Sequence, residues 1–398
     1  MGMWIAILLV IMLLTAIAVW YVYRETASAI TNVRKKPSSM SRSARLASIL
    51  TVGVLFAILA ACLKTINAVI VFYHLAAVWA LVNLLLHLIR RFVLKNPKKW
   101  ISPRAGGAVA LALTLGILSW GWYLDHHVWR TEYSLSTRKN VPPLKILMFA
   151  DSHLGATFDE QGFARHLETM RLESPDLVLI AGDYVDDDTT RDEMIASTRE
   201  LGKLKSTLGT YYIFGNHDKG YYGSEYRGFS ADDLVKELKR AGVHVLEDAS
   251  VDLGGGIVIV GRRDLSEKKE KHLDRMSAAD LLAMTDPNSY SIVLDHQPAD
   301  YAALAAAGAD LVLSGHTHGG QLFPFNAVGL LIGAVDRVYG YERRDNADFI
   351  VTSGISDWAI RFKTGTFSEY VVINLIPEGY DAADAKAADG GVAQDVAR

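Results

Sequence analysis

Gly315-His316-Thr317-His318-Gly319-Gly320-Gln321 directly follows the apolar run 311–313, so it begins where a buried strand ends. Two imidazoles one residue apart would point to opposite faces of a continuing strand. Glycines on both sides instead predict a turn in which both rings reach one centre. A solvated or hydrogen-bonded histidine pair fits the same stretch, so the reading depends on whether other strands end in similar residues. They do. Residues 144–150 read as a strand ending in Asp151-Ser152-His153, and 176–181 as one ending in Gly182-Asp183. Residues 210–214 lead to Gly215-Asn216-His217-Asp218, and 291–294 lead to Asp295-His296-Gln297-Pro298.

Between these runs lie helix-like stretches at 158–172, 192–204, 230–241 and 299–307, with further strands at 257–260 and 370–375. Such alternation predicts a layered α/β domain whose ligand-bearing strands are mainly parallel. The carboxyl ends of neighbouring strands in such sheets converge on one crevice. Any one Asp or Asn after a strand reads as a turn or helix cap. A series of such ends with no cysteine among them favours oxygen and nitrogen donors for divalent Mn, Fe or Zn.

The 398 residues leave room for more than one domain, and the formal net charge of -3 gives no case for nucleic-acid binding. The lone cysteine, Cys62, excludes an internal disulfide. Apolar residues crowd positions 1–125, with segments of membrane-spanning length at 4–23, 46–63, 66–89 and 108–124. A cleaved signal peptide would explain the first segment alone, and it lacks a positive start. About four transmembrane helices are expected.

Arg24, Arg34, Lys35, Lys36, Arg42 and Arg45 separate the first two segments, and Arg90, Arg91, Lys95, Lys98, Lys99 and Arg104 the last two. The positive-inside rule puts both basic loops in the cytoplasm. An even number of crossings then places everything after residue 124 outside, next to a plasma membrane. His74 and His87 fall in the third segment and read as neutral, hydrogen-bonded side chains or as functional groups. Trp20, Tyr23, Trp120 and Tyr123 sit near segment ends as interfacial anchors. Residues 126–143 read as a polar linker closed by Pro142-Pro143, 144–377 as the α/β domain, and 378–398 as a disordered tail.

Taken together, Asp151-Ser152-His153, Gly182-Asp183, Gly215-Asn216-His217-Asp218, His296 and Gly315-His316-Thr317-His318 resemble the motif set of calcineurin-like metallophosphoesterases, in particular their membrane-anchored bacterial branch. The resemblance covers about 145–375. It implies an αββα sandwich with two divalent metal ions. One ion would be held by Asp151, His153, Asp183 and His318, the other by Asp183, Asn216, His296 and His316. Asp183 would bridge them, and a hydroxide between the metals would attack phosphorus. His217 would stabilise the reacting phosphoryl group or protonate the departing oxygen, with Asp218 orienting it.

Departures narrow the expectation. Protein phosphatases of this superfamily carry an Arg after the second aspartate motif, whereas Gly182-Asp183-Tyr184-Val185-Asp186 runs into Asp187 and Asp188. The acidic run reads as a solvated turn, with Asp186 a candidate partner of the site, and Asp295 is a candidate to orient His296. The apolar stretch 322–332 reads as core, as an acyl-chain site, or as a segment dipping into the bilayer. Arg337, Arg343, Arg344 and Arg361 are candidates to meet a phosphate. The expected partners are the lipid bilayer and a phosphorylated lipid or cell-envelope substrate whose phosphoester or pyrophosphate bond is hydrolysed. Alternatives are the UDP-2,3-diacylglucosamine pyrophosphatase of lipid A synthesis, which needs the opposite topology, and a metal-binding or sensory scaffold without catalysis.

Overall fold

The computed structural model describes residues 2–33, 40–93 and 102–380. The chain forms two compact units: Met1–Tyr123 with Ala359–Thr364, and Leu124–Trp358 with Gly365–Arg398.

The first unit is built on α1 (Gly2–Thr31), α2 (Arg42–Phe92) and α3 (Pro103–His126), each long and apolar enough to cross a membrane. Four segments are expected from the sequence and three helical elements are found, because 46–63 and 66–89 both lie in α2. Lys64 interrupts α2 with φ 67° and ψ 155°. Phe56 and Phe72, on either side of it, meet edge to face at 5.5 Å. A straight helix would hold positions that far apart in sequence roughly 24 Å from each other. The chain therefore doubles back at Lys64, and α2 is a hairpin whose two arms are the two expected segments.

Val22, Phe72, Leu75, Trp79 and Ala110 pack between the helices, while Leu13, Leu55 and Leu113 face outward. Apolar side chains on the outside of a helical unit are what a hydrocarbon solvent permits. Arg104 donates to the Ala29 and Ile30 carbonyls at 3.0 and 2.9 Å, satisfying carbonyls at the end of α1. Arg34, Lys35, Lys36, Lys95, Lys98 and Lys99 of the two basic loops lie outside the described residues. His74 bonds through Nδ1 to the Ile70 carbonyl at 2.9 Å within its own helix, and His87 is exposed. The short segment Ala359–Thr364 is held by Asn67, whose amide donates to the Ala359 carbonyl at 2.8 Å and accepts the Arg361 N–H at 2.9 Å.

The second unit runs β1 (Val128–Thr137), β2 (Leu144–Phe149), α4 (Glu160–Arg171), β3 (Leu177–Ile180), α5 (Arg191–Leu201) and β4 (Thr210–Ile213). It continues with α6 (Ser224–Arg227), α7 (Ala231–Arg240), β5 (Val243–Leu246), β6 (Ala249–Gly254), β7 (Ile257–Gly261), α8 (Leu265–Lys271) and α9 (Ala278–Leu282). It ends with β8 (Tyr290–Leu294), α10 (Tyr301–Ala306), β9 (Leu311–Ser314), α11 (Val328–Leu331), β10 (Gly340–Arg344), β11 (Ala347–Val351) and β12 (Ser368–Pro377).

Two six-stranded sheets result, ordered β1-β12-β2-β3-β4-β5 and β10-β11-β9-β8-β7-β6. Strands β2 to β5 are mutually parallel, as are β7, β8, β9 and β11. Alternation sends Ile146, Met148, Leu177 and Leu179 inward against Ile257, Ile259, Ile292 and Leu313 of the facing sheet. The other face of the first sheet, with Leu147, Val178 and Ile180, packs on Phe163, Leu167, Leu234 and Leu238 of α4 and α7. Val258, Val293 and Val312 pack likewise on Leu281 and Leu304. This is the αββα sandwich expected of the family resemblance. Ser230 and Asp233 close a capping box at the start of α7, and Thr190 and Glu193 do so for α5.

The stretch read as a linker instead holds β1, which pairs in parallel with β12 along its whole length. It has a single neighbour, so its outward side chains stay polar and mask the period of two. Strands β5, β6, β10 and β11 are four more that the structure adds to those expected from the sequence. Just past β12 the Glu378 N–H donates to the Thr137 carbonyl at 2.7 Å, continuing the β12–β1 ladder by one residue. Most of the expected tail, 381–398, lies outside the described residues.

Candidate metal centre

The ligand-type residues stand at the carboxyl ends of β2, β3, β4, β8 and β9, where the parallel runs of both sheets open toward one another. Five of the seven expected metal ligands have left-handed backbone: Asp151 (φ 55°), His153 (36°), Asp183 (51°), His316 (72°) and His318 (48°). Such geometry costs about 1–2 kcal/mol for an L residue and persists where the surroundings dictate it. Here they do. The Asp151 N–H donates to the Gly182 carbonyl at 3.0 Å, and the His316 N–H donates to the Asp151 carboxylate at 3.0 Å. Gly215 permits this crowding, since a Cβ there would stand 2.1 Å from Asp183 Oδ1.

Asp151, His153 and His318 bring one ligand atom each within 4.8 Å of one another, and Asp183, His296 and His316 form a second such group. Asp183 joins them. Its Oδ2 lies 3.1 Å from His296 Nε2 and 3.6 Å from His153 Nε2. Asn216 belongs to the second group, with Oδ1 2.8 Å from His316 Nδ1 and 3.1 Å from His296 Nε2. His153 Nε2 is buried without a hydrogen-bond partner, at the position where a ligand nitrogen would face a cation. Buried polar atoms are seldom left so. The donor set of imidazole, carboxylate and amide oxygen fits two divalent ions.

Supporting contacts fix the rings. His296 Nδ1 meets the Ala181 carbonyl at 2.7 Å, and His318 Nδ1 lies 3.0 Å from Asp357 and 3.2 Å from the Ser356 carbonyl. Each leaves Nε2 to face the centre. Asp186 holds two rings at once, with Oδ2 3.1 Å from His153 Nδ1 and Oδ1 3.2 Å from His217 Nδ1. Of the acidic run expected as a solvated turn only Asp188 is exposed: Asp186 and Asp187 are buried, and Asp187 accepts the Tyr221 N–H at 2.9 Å.

Asp218 does not orient His217. Its carboxylate accepts the N–H groups of Asp183, Tyr184, Val185 and Gly215 at 2.7–3.0 Å, tying the β3 and β4 turns together. Asp295 does not orient His296 either, because Arg262 and Arg275 hold it at 3.0 and 2.5 Å. Arg337, Arg343 and Arg344 are engaged by Glu342 and Asp348 along the β10–β11 hairpin. Arg361 belongs to the helical unit.

Burial pushes Asp151 up to about 6 against the pull of the His296 ring. Asp183 is buried too, yet the His296 and His217 rings hold it well below the usual carboxylate range. Burial would lower His217, but the Asp183 and Asp186 carboxylates outweigh it and raise the ring to about 9. Tyr221 stands across the His217 ring at 5.2 Å and Trp358 at 5.8 Å, both well exposed. Asp357, Trp358 and Tyr221 were not foreseen. Trp358 and Asp357 follow β11, whose short run after a hairpin gave no motif, and Tyr221 lies three residues past Asp218 in a loop.

A family model described as calcineurin-like phosphoesterase matches residues 144–320. An uncharacterized metallophosphoesterase of Campylobacter jejuni is 35% identical over 58% of this chain and 59% of its own length. One from Aquifex aeolicus is 31% identical over 54% of this chain and 77% of its own. A Bos taurus transmembrane protein with metallophosphoesterase domain is 28% identical over 58% of this chain and 53% of its own. The chain thus spans about three-fifths of the Campylobacter relative, 59%.

Proposed function

Because the chain belongs to the calcineurin-like metallophosphoesterases, we propose that it is a membrane-anchored, two-metal hydrolase acting on a phosphoester or pyrophosphate bond of a lipid or cell-envelope molecule. The observation that carries this reading is the Asp183 carboxylate, one oxygen of which stands between His153 and His296. Asp151, His153, Asp183 and His318 would hold one ion, and Asp183, Asn216, His296 and His316 the other. Two such cations supply Lewis-acid stabilisation of phosphoryl oxygens and acidify water near neutral pH.

The chain's own residues supply the rest. Asp186 holds His217 through Nδ1 at 3.2 Å, which leaves Nε2 for a phosphoryl or departing oxygen, to which the ring donates in its protonated form. Asp186 is the positioning residue, and Asp218 holds the two turns that carry Asp183 and His217. Tyr221 and Trp358 flank the imidazole and limit its rotation.

The membrane reading draws on α1, the two arms of α2, and α3, which make an even number of crossings. Arg24, Arg42, Arg45, Arg90, Arg91 and Arg104 flank the basic loops. That asymmetry supports a catalytic unit on the outer face of a bacterial plasma membrane. Confinement beside the bilayer favours substrates that are themselves confined there. The test is hydrolysis by purified full-length protein in detergent, with p-nitrophenyl phosphate, bis-p-nitrophenyl phosphate and UDP-2,3-diacylglucosamine as probes. Divalent-ion-dependent turnover abolished by Asp183→Ala supports the reading, and turnover that survives the substitution sinks it.

A further inference from the structure

The stretch after His318 remains unused by the proposed chemistry. No charged residue stands between His318 and Asp336. Neither does this stretch pack as core: Phe323 is 66% exposed, Leu330 50%, Leu331 80% and Ile332 72%. Four large apolar side chains in one short loop, capped by the single turn of α11, form an exposed patch of the kind that marks an interaction surface.

The base of the loop is built rigidly, at two places that matter. On one side it springs from the metal-ligand turn. The Gln321 N–H donates to the His318 carbonyl at 3.1 Å, and Gly320 is pressed so closely on Asn326 that a Cβ would meet its carbonyl oxygen at 2.2 Å. On the other side it rests on Gly365, whose N–H donates to the Gln321 carbonyl at 2.9 Å. Gly365 is the residue at which the chain returns from Ala359–Thr364, the segment that belongs to the helical unit. Three residues on, Ser368 Oγ donates to the Asp125 carbonyl at 2.7 Å, and Asp125 lies in the last turn of α3. β1 starts two residues after α3 ends. Of the three places where the chain passes between the helices and the sandwich, the one at 364–365 is hydrogen-bonded to the foot of this loop and the one at 123–124 is tied to it through Ser368.

We propose that the loop 322–332 inserts its apolar tip, Phe323, Leu330, Leu331 and Ile332, into the interfacial layer of the bilayer that the N-terminal helices span. The occupant is lipid, not a protein partner, because the patch lacks charge and its foot is hydrogen-bonded to Gly365, the residue covalently joined to the helical unit. Only Gly319 and Gly320 separate His318 from Gln321, so an inserted tip sets the metal centre at headgroup depth. The inference rests on the reading of the helices as membrane-spanning and does not depend on hydrolysis.

The test uses the full chain in phosphatidylcholine–phosphatidylglycerol vesicles, in a Cys62→Ala background. A nitroxide is attached at Leu331→Cys or Ile332→Cys, at Leu113→Cys on the outward face of α3, and at Lys239→Cys on exposed α7. Collision with oxygen and with an aqueous nickel chelate is compared. Insertion predicts at least about ten-fold protection from nickel at 331 and 332 relative to 239, with depth near the headgroup boundary. Nickel access at 331 equal to that at 239 overturns the proposal, as does broadening at 331 between copies, which would mean self-association. A lipid-protected label at 113 with an aqueous label at 331 overturns the loop alone, whereas an aqueous label at 113 overturns the membrane reading on which it rests.

Discussion

Asp186 Oδ1 lies 3.2 Å from His217 Nδ1 while its other oxygen lies 3.1 Å from His153 Nδ1, so one carboxylate sets the orientation of a metal-ligand ring and of the proton donor together. In the proposed mechanism this buried side chain couples holding the cation to delivering the proton.

Substituting His217→Asn removes the donor without touching the ligand set. Turnover should fall by about 10²–10⁴. Bound metal, measured on the same preparation, should be unchanged.

The Asp186→Asn variant loses charge but keeps its size. We expect a fall of about 10–100-fold in metal affinity or turnover, because one of the two rings then faces an amide N–H in place of an acceptor and both lose the carboxylate charge. Loss of turnover alone, with affinity intact, would show that His153 does not need this contact.

Gly215→Ala would place a Cβ 2.1 Å from Asp183 Oδ1. The same Cβ meets the Asp183 backbone nitrogen at 2.5 Å, so the carboxylate and its turn must both move, and the folded variant should bind less metal than wild type by titration. Retained stoichiometry would contradict the assigned role of Asp183.

His166 packs against Phe158 at 4.5 Å, and burial, helped by Arg165 and His127, lowers it from 6.5 to about 4. Between those values the unfolded chain takes up a proton that the folded chain refuses. The contribution is fully favourable to folding above pH 6.5 and is lost as pH falls toward 4, at up to about 1.4 kcal/mol per unit. Denaturant unfolding at several pH values should show a shallower decline for His166→Gln.

The strand ends were legible because each parallel strand is a short apolar run followed directly by a polar ligand residue. The same logic misses β1, whose Arg130 pairs with both Glu132 and Glu173 at the sheet edge. It assigned His217 the wrong carboxylate, since Asp218 is adjacent in sequence but turns to backbone amides, whereas Asp186 arrives from the β3 turn. Asp357 and Trp358 reach the centre only through the β9–β11 pairing, a contact between distant segments with no local signature. In the helical unit, Lys64 reads as an ordinary charge between two apolar runs, and its left-handed φ makes the hairpin.

The most direct test of the two-metal centre is metal content per chain in purified full-length protein, by elemental mass spectrometry, for wild type and Asp183→Asn. The bridging geometry predicts two divalent ions in wild type and a loss from both positions in the variant. Full occupancy of both positions in Asp183→Asn, or no bound ion in wild type, would contradict it.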